Sequence, residues 1–292
     1  MKSAKTIDEM IKLFEDRELI IADEEHFRDL LYNNNYYRLS GYFRVFQIDP
    51  SNGDNRFIAG TTEEDFIAPY ILDAKLRALI LQGISILEIT LRSRFAYEIA
   101  QDGHAYDYVS LSAYKHLAKR KTSSYQERLI LKINDWIEKS SEVCTRHYHE
   151  VGKDIPVWAA VEVLPFDTVS KMLSSHIDSQ ALRQVYKSIG LPKNPRIVSS
   201  IVHAMVYLRN LCAHHSRLWK RETIISVPHI SYVEETINGI SYEQKSVAAS
   251  LILLMHMVDF INHSSEYSEE ILSFLRSNNS YVNGLATPVH WK

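Results

Sequence analysis

Apolar residues recur at intervals of three and four along most of the chain, the spacing that lines one face of an α-helix, and alternation at two is scarce. The clearest case is "PYILDAKLRALILQGISILEITLRSRFAYEIA", Pro69 to Ala100, which predicts one long helix packed on several sides, with Pro69 in its first turn and Gly83 as its weak point. Further helices are predicted over 124–148, 167–176, 179–190, 195–218, 241–263 and 267–277. Thr6 with Glu9 and Thr61 with Glu64 have the form of capping boxes and mark two helix starts. With 9 glycines and 8 prolines, turn chemistry is too sparse for an all-β fold. The stretch "ISVPHISYVEETINGISYE" reads as a short hairpin or an irregular excursion, and 278–292, with Pro288 and Trp291, as a surface strap. No repeat or low-complexity linker divides the chain. The expectation is an all-α bundle with little or no β-structure: a helical extension over 1–60, then one helical domain over 61–292.

Composition narrows the class. At 46% hydrophobic and 24% charged residues the chain is an ordinary globular one. A formal charge of −3 excludes a global basic field, so contacts with nucleic acid must come from local patches. The two cysteines, Cys144 and Cys212, lie far apart without C-x-x-C spacing, which points to a reducing compartment and no disulfide framework. The charged N-terminus lacks a signal core, and "LILLMHMVDF" is too short and too polar, with His256 and Asp259, to span a membrane. A cytoplasmic protein with no membrane partner is expected.

One stretch breaks the ordinary helical pattern. "YLRNLCAHHSRLW", Tyr207 to Trp219, crowds two arginines, an asparagine, a cysteine and two adjacent histidines into what otherwise reads as a buried helix. On a helix of about 100° per residue, Val198, Ile201, Val202, Met205, Leu208 and Cys212 form one stripe. His203, Tyr207, Asn210 and His214 gather opposite, with Arg217 at the edge. Arg209 falls beside the apolar stripe, so its guanidinium either curls to the polar side or pairs with a carboxylate such as Glu88 or Glu162. The run is therefore a satisfied structural knot or a site. Read as a site, it supplies a cation for a phosphate, an amide to orient an imidazole, and an imidazole for proton transfer. These are the parts needed for metal-free RNA cleavage, in which the ribose 2′-OH attacks its own phosphate. One histidine fills one proton-transfer role at a time, which favours two facing copies.

The same residues resemble the signature of the Abi-like abortive-infection proteins of the AbiD/AbiF type, within the HEPN superfamily. Its hallmark, an Arg followed after four to six residues by a His and commonly flanked by Asn, corresponds to Arg209, Asn210 and His214. Three other blocks are similar to the family in the same order: "NNNYYRLSGYFRVF", "DAKLRALILQGISILEITLRSRFAYEIA" and "PVWAAVEVLPFDTVSKML". The similarity spans about Asp8 to Arg221, with an echo near Trp291. Asp167, after Phe166, departs from it where a small residue is expected. The resemblance implies a HEPN-type helical bundle acting as a homodimer, an antiviral or toxin-like ribonuclease with no cofactor, and Arg209 and His214 as the catalytic pair. It further implies Asn210 as orienter, with His215 and Arg217 in support.

Substrate RNA needs a surface as well. "NYYRLSGYFRVF" interleaves Tyr36, Tyr37, Arg38, Tyr42, Phe43 and Arg44 as a base-stacking platform would, or as a block bracing the N-terminal region would. Lys115, His116, Lys119, Arg120 and Lys121 form one basic run, and Arg217, Lys220 and Arg221 another, the second favoured because it follows the motif. Arg92 and Arg94 are open to either a structural or a binding role. Three classes compete: a ribonuclease; a non-catalytic module acting with a structured non-coding RNA or protein partner; and, last, a zinc site drawn from Cys212, His214, His215, His203 and His147, which lacks paired ligand spacing.

Overall fold

The computed structural model of the chain describes residues 3–116, 124–234 and 241–290. Its axis is the long helix, here α4, which runs Glu64–Ile99, about 54 Å at 1.5 Å per residue. Apolar side chains leave α4 in every direction, so it is the element around which the others pack. Before it come α1 (Ile7–Glu15), α2 (Glu24–Asn33) and α3 (Tyr36–Phe43), then a two-stranded antiparallel hairpin, β1 (Gln47–Asp49) and β2 (Asp54–Phe57). After it come α5 (Tyr125–Glu138), α6 (Val143–Glu150), α7 (Val157–Val163), α8 (Phe166–Ser175), α9 (Ser179–Ser188) and α10 (Pro195–Ala213). The chain finishes with the single turn α11 (Ser231–Glu234) and with α12 (Val247–Asn262), α13 (Glu266–Arg276) and α14 (Asn279–Ala286). The all-α expectation holds, with the hairpin the one sheet among the described residues.

Around α4 pack α3, α7, α9, α10 and α12, and α10 also packs on α8 and α12. The predicted stripe of α10 is the one it buries: Val198, Ile201, Val202, Met205, Leu208 and Cys212 are all inside. Gly83 is no weak point in α4. A Cβ there would lie 2.2 Å from the Tyr267 hydroxyl, so glycine is what lets α13 approach, and that hydroxyl donates to the Leu79 carbonyl at 3.0 Å. The N-terminal helices are tied to the start of α4 by the buried Glu63 carboxylate, which accepts the backbone N–H groups of Ala22 and Asp23. Phe14, Phe27, Phe43, Phe57 and Phe66 join them in one aromatic cluster.

Several boundaries correct the sequence reading. The Thr6–Glu9 box is formed, but Thr61 is not a cap: its hydroxyl donates to the Ile58 carbonyl, and Asp65 instead holds Thr62. Pro69 lies beyond the first turn of α4, which continues through it because the site is buried in packing. The 124–148 helix is two, broken between Glu138 and Val143. The 225–243 stretch holds no strand among its described residues, and part of it lies outside them. The strap begins as α14, with only 287–290 extended; Trp291 lies outside the described residues. No described helix is long and apolar enough to cross a membrane.

Candidate functional site

The motif helix stops earlier than its periodicity suggests. α10 ends at Ala213; the amide of His215 bonds to the Cys212 carbonyl at 3.1 Å and that of Ser216 to the Leu211 carbonyl at 2.8 Å. These are the two bonds of a Schellman termination, in which the residue after the C-cap is left-handed. Glycine usually fills that position, but here it is His215, with φ of 52°. His214 is thus the helix C-cap and Arg217 lies past the helix, so the wheel that placed both on a polar face does not apply to them. Both imidazoles are exposed.

The turn after the helix is held by side chains from α3 and α4. Arg38 of α3 donates to the His215 carbonyl at 2.7 Å, and Arg77 of α4 to the Ser216 carbonyl at 3.2 Å. The Asp73 carboxylate, wholly buried on α4, accepts the amides of Leu218 at 2.6 Å and Trp219 at 3.1 Å. It also receives the hydroxyls of Tyr42 at 2.6 Å and Tyr281 at 2.5 Å. Burial pushes the Asp73 pKa up, against four hydrogen bonds that favour the charged form. Beyond Trp219, Lys220 takes a φ of 52° and gives its amide to the Gly284 carbonyl of α14. A Cβ on Gly284 would fall 1.9 Å from the Trp219 indole nitrogen, so α14 can lie there only as glycine.

Arg209 opens into a cleft of about 400 Å³ lined also by Ser85, Glu88, Ile89, Arg92 and Glu162, and no hydrogen bond joins it to His214 among the described residues. It pairs with neither Glu88 nor Glu162; its guanidinium donates to the Asn210 side-chain oxygen at 3.1 Å. Glu88 is engaged by Arg92, which also caps the carbonyls at the end of α7. Arg94 likewise serves the Ser188 carbonyl at the end of α9, so both arginines are structural.

The tyrosine-arginine block divides. Tyr37 and Arg38 are exposed beside the motif turn, whereas Tyr42 is 2% exposed and Phe43 lies in the aromatic cluster. Tyr42 is a brace and not a stacking surface. Tyr36 is half-buried and accepts from Arg17, and Arg44 rests against the Pro50 carbonyl of the hairpin. Lys115 and His116 are exposed; Lys119, Arg120 and Lys121 lie outside the described residues.

Arg217 lies against α3, where a Cβ on Gly41 would be 3.6 Å from its Cδ. Burial and the neighbouring Arg221 lower its pKa, and burial together with Arg217 lowers that of Lys220. Cys212 is buried, its thiol pushed up to about 12 by desolvation, and among the described residues no group of three or more His, Cys, Asp and Glu side chains is placed to hold a metal.

A model of the Abi-like protein family matches residues 29–220, which takes in α3, α4 and the whole motif turn. The chain belongs to the Abi-like family, and this membership supports a role in abortive-infection phage defence. No curated protein and no solved structure matches it. Asp73 and Arg77, which hold the turn, were missed in the sequence because a charged pair one turn apart on a helix ordinarily reads as solvated surface. The one available signal was their place in a helix that is apolar all round.

Proposed function

We propose that this protein is a metal-independent endoribonuclease of the HEPN type that acts in abortive infection, cutting RNA at a composite site of two copies. The observation that carries this reading is a set of cations without carboxylate partners. Arg38, Arg209, Arg217, Lys220 and Arg221 lie in, beside or just after the last turns of the motif helix, and none makes an ion pair among the described residues. In a chain of net charge −3 this is a local anion-binding surface, and exposed Tyr37 beside it offers a face for an unpaired base.

In the proposed reaction His214 removes the proton of the ribose 2′-OH, the 2′-oxygen bonds to phosphorus, and the bond from phosphorus to the 5′-oxygen breaks. An imidazole of the second copy protonates that oxygen, and Arg209 offsets charge on the phosphate oxygens. The products end in a cyclic phosphate and a 5′-hydroxyl. A single histidine fills one proton-transfer role at a time, which supports a site completed by a second copy. So does the outer face of α4, where the exposed Ile71, Ala78, Leu81, Ile89 and Tyr97 stand among Lys75, Gln82, Ser85 and Ser93, and where Leu81, Ser85 and Ile89 border the cleft of Arg209.

The test is RNA cleavage in EDTA by wild type, His214→Ala and Arg209→Ala, each checked for folding and dimerisation. Cleavage by wild type alone, leaving cyclic-phosphate ends, is expected. No cleavage, with RNA binding unchanged in His214→Ala, would replace this reading with a non-catalytic module acting with a structured RNA.

A further inference from the structure

We propose that Asp73, with Arg77 one turn on, is the positioning residue of the His214–Arg217 turn; its consequence for catalysis rests on the ribonuclease reading. A buried carboxylate is a costly way to fill space, and an apolar side chain would pack the same position more cheaply. What a carboxylate adds is direction. The two amides it binds, Leu218 and Trp219, immediately follow the candidate site residues, and Arg77, 3.9 Å from the carboxylate, takes the carbonyl of Ser216 just before them. The backbone from 216 to 219 is therefore gripped by a single buried ion pair, directly after the His215 carbonyl that Arg38 holds. The left-handed His215 needs such a grip: that conformation is unfavourable for a residue with a Cβ and persists only where its surroundings impose it.

The other two donors on Asp73 set the turn against the rest of the surface. Tyr42 belongs to α3, the helix that presents Tyr37 and Arg38 beside His215. Tyr281 belongs to α14, which lies outside the family-matched residues 29–220. The exposed imidazoles, the RNA-facing end of α3 and the C-terminal helix are thus aligned through the same two oxygens. A displacement of about 1 Å at such a site is enough to cost on the order of 10²-fold in rate.

The experiment compares wild type, Asp73→Asn and Tyr281→Phe in the full-length chain. Amide exchange at Leu218 and Trp219 and the ring titrations of His214 and His215 are followed by NMR without RNA, and kcat and KM are measured on RNA. Asp73→Asn is expected to keep its helical content, to speed exchange at those two amides about tenfold relative to α12, and to shift both ring titrations. It should lower kcat about 10²-fold with KM little changed. Tyr281→Phe, which leaves three donors on the carboxylate, should move the same signals less and decides the matter if Asp73→Asn does not fold. Variants that melt earlier yet keep wild-type ring titrations and local exchange would overturn the proposal and leave Asp73 a stability residue. Absence of cleavage by wild type would defeat the ribonuclease reading alone, because exchange and titration still report on the turn.

Discussion

The two halves of the run from His214 to Trp219 solve the same problem in opposite ways. His214 and His215 are exposed, with neither ring hydrogen-bonded among the described residues, whereas Leu218 and Trp219 are buried with their amides on Asp73. α3 repeats the contrast: Tyr37 is 77% exposed and Tyr42 is 2% exposed with its hydroxyl satisfied. The backbone amides and tyrosine hydroxyls that are buried here found an acceptor, and the exposed side chains beside them are left to meet solvent or a ligand. A polar cluster in a sequence is therefore not one object, and a structure is needed to divide it.

The contrast breaks most visibly at Asp73. Asp73→Ala would leave two buried hydroxyls, two buried amides and Arg77 without their acceptor, and should cost about 3–5 kcal/mol in urea unfolding. His214→Ala, at an exposed position, should stay within about 0.5 kcal/mol of wild type. Comparable losses from the two substitutions would refute the division into buried anchors and free site groups. The tyrosines sharpen it: Tyr42→Phe should lose about 1–2 kcal/mol of stability. Tyr37→Ala should leave stability unchanged while weakening single-stranded RNA binding by about 1–3 kcal/mol in a titration. An unaltered affinity in Tyr37→Ala would remove α3 from the RNA surface.

Local pattern carried much of the architecture. The stripe of α10 and the existence of α4 follow from 3.6-residue periodicity, a property of neighbouring residues, although α4 begins at Glu64, five residues before the expected start at Pro69. What could not be read depends on distance in sequence or on a broken rule. Asp73 and Tyr281 are 208 residues apart, and nothing near either names the other. The end of α10 was missed because its left-handed residue is His215, where the stop signal in sequence is glycine. Thr61 matched a capping pattern that the chain uses elsewhere, at Thr6, because the pattern fixes spacing and not which carbonyl a hydroxyl will find. The motif stood out in the sequence as a polar cluster; that His214 and the residues after it lie past the helical part of α10 did not.

That broken rule makes a prediction of its own. His215→Gly relieves the left-handed strain and should raise stability by about 1 kcal/mol, read as a higher urea midpoint at unchanged slope. If His215 serves RNA, the same variant should bind it less well, a gain in stability accompanied by a loss in function. A stabilised protein with undiminished RNA binding and cleavage would mean that the strained histidine has no role at the site.

The smallest effect lies where the C-terminal strap is tied by an exposed group instead of a buried one. His290 bridges Glu222 and Glu243 at 3.1 Å each, and hydrogen bonds to Glu222 and then Glu243 raise its pKa above the ordinary 6.5. Because the folded state favours the charged imidazole, the contribution is fully present below pH 6.5 and is lost as pH rises through the raised value. His104, raised by Asp107, acts in the same direction, and buried His176, lowered by desolvation, acts in the opposite one. Only the difference between wild type and His290→Gln therefore isolates the strap. Melting temperatures of the two should separate below pH 6.5 and converge as the pH rises past the raised value. Curves that stay parallel across that range would mean that the strap is held by backbone alone, through the amide of Val289 on the Lys220 carbonyl at 3.2 Å.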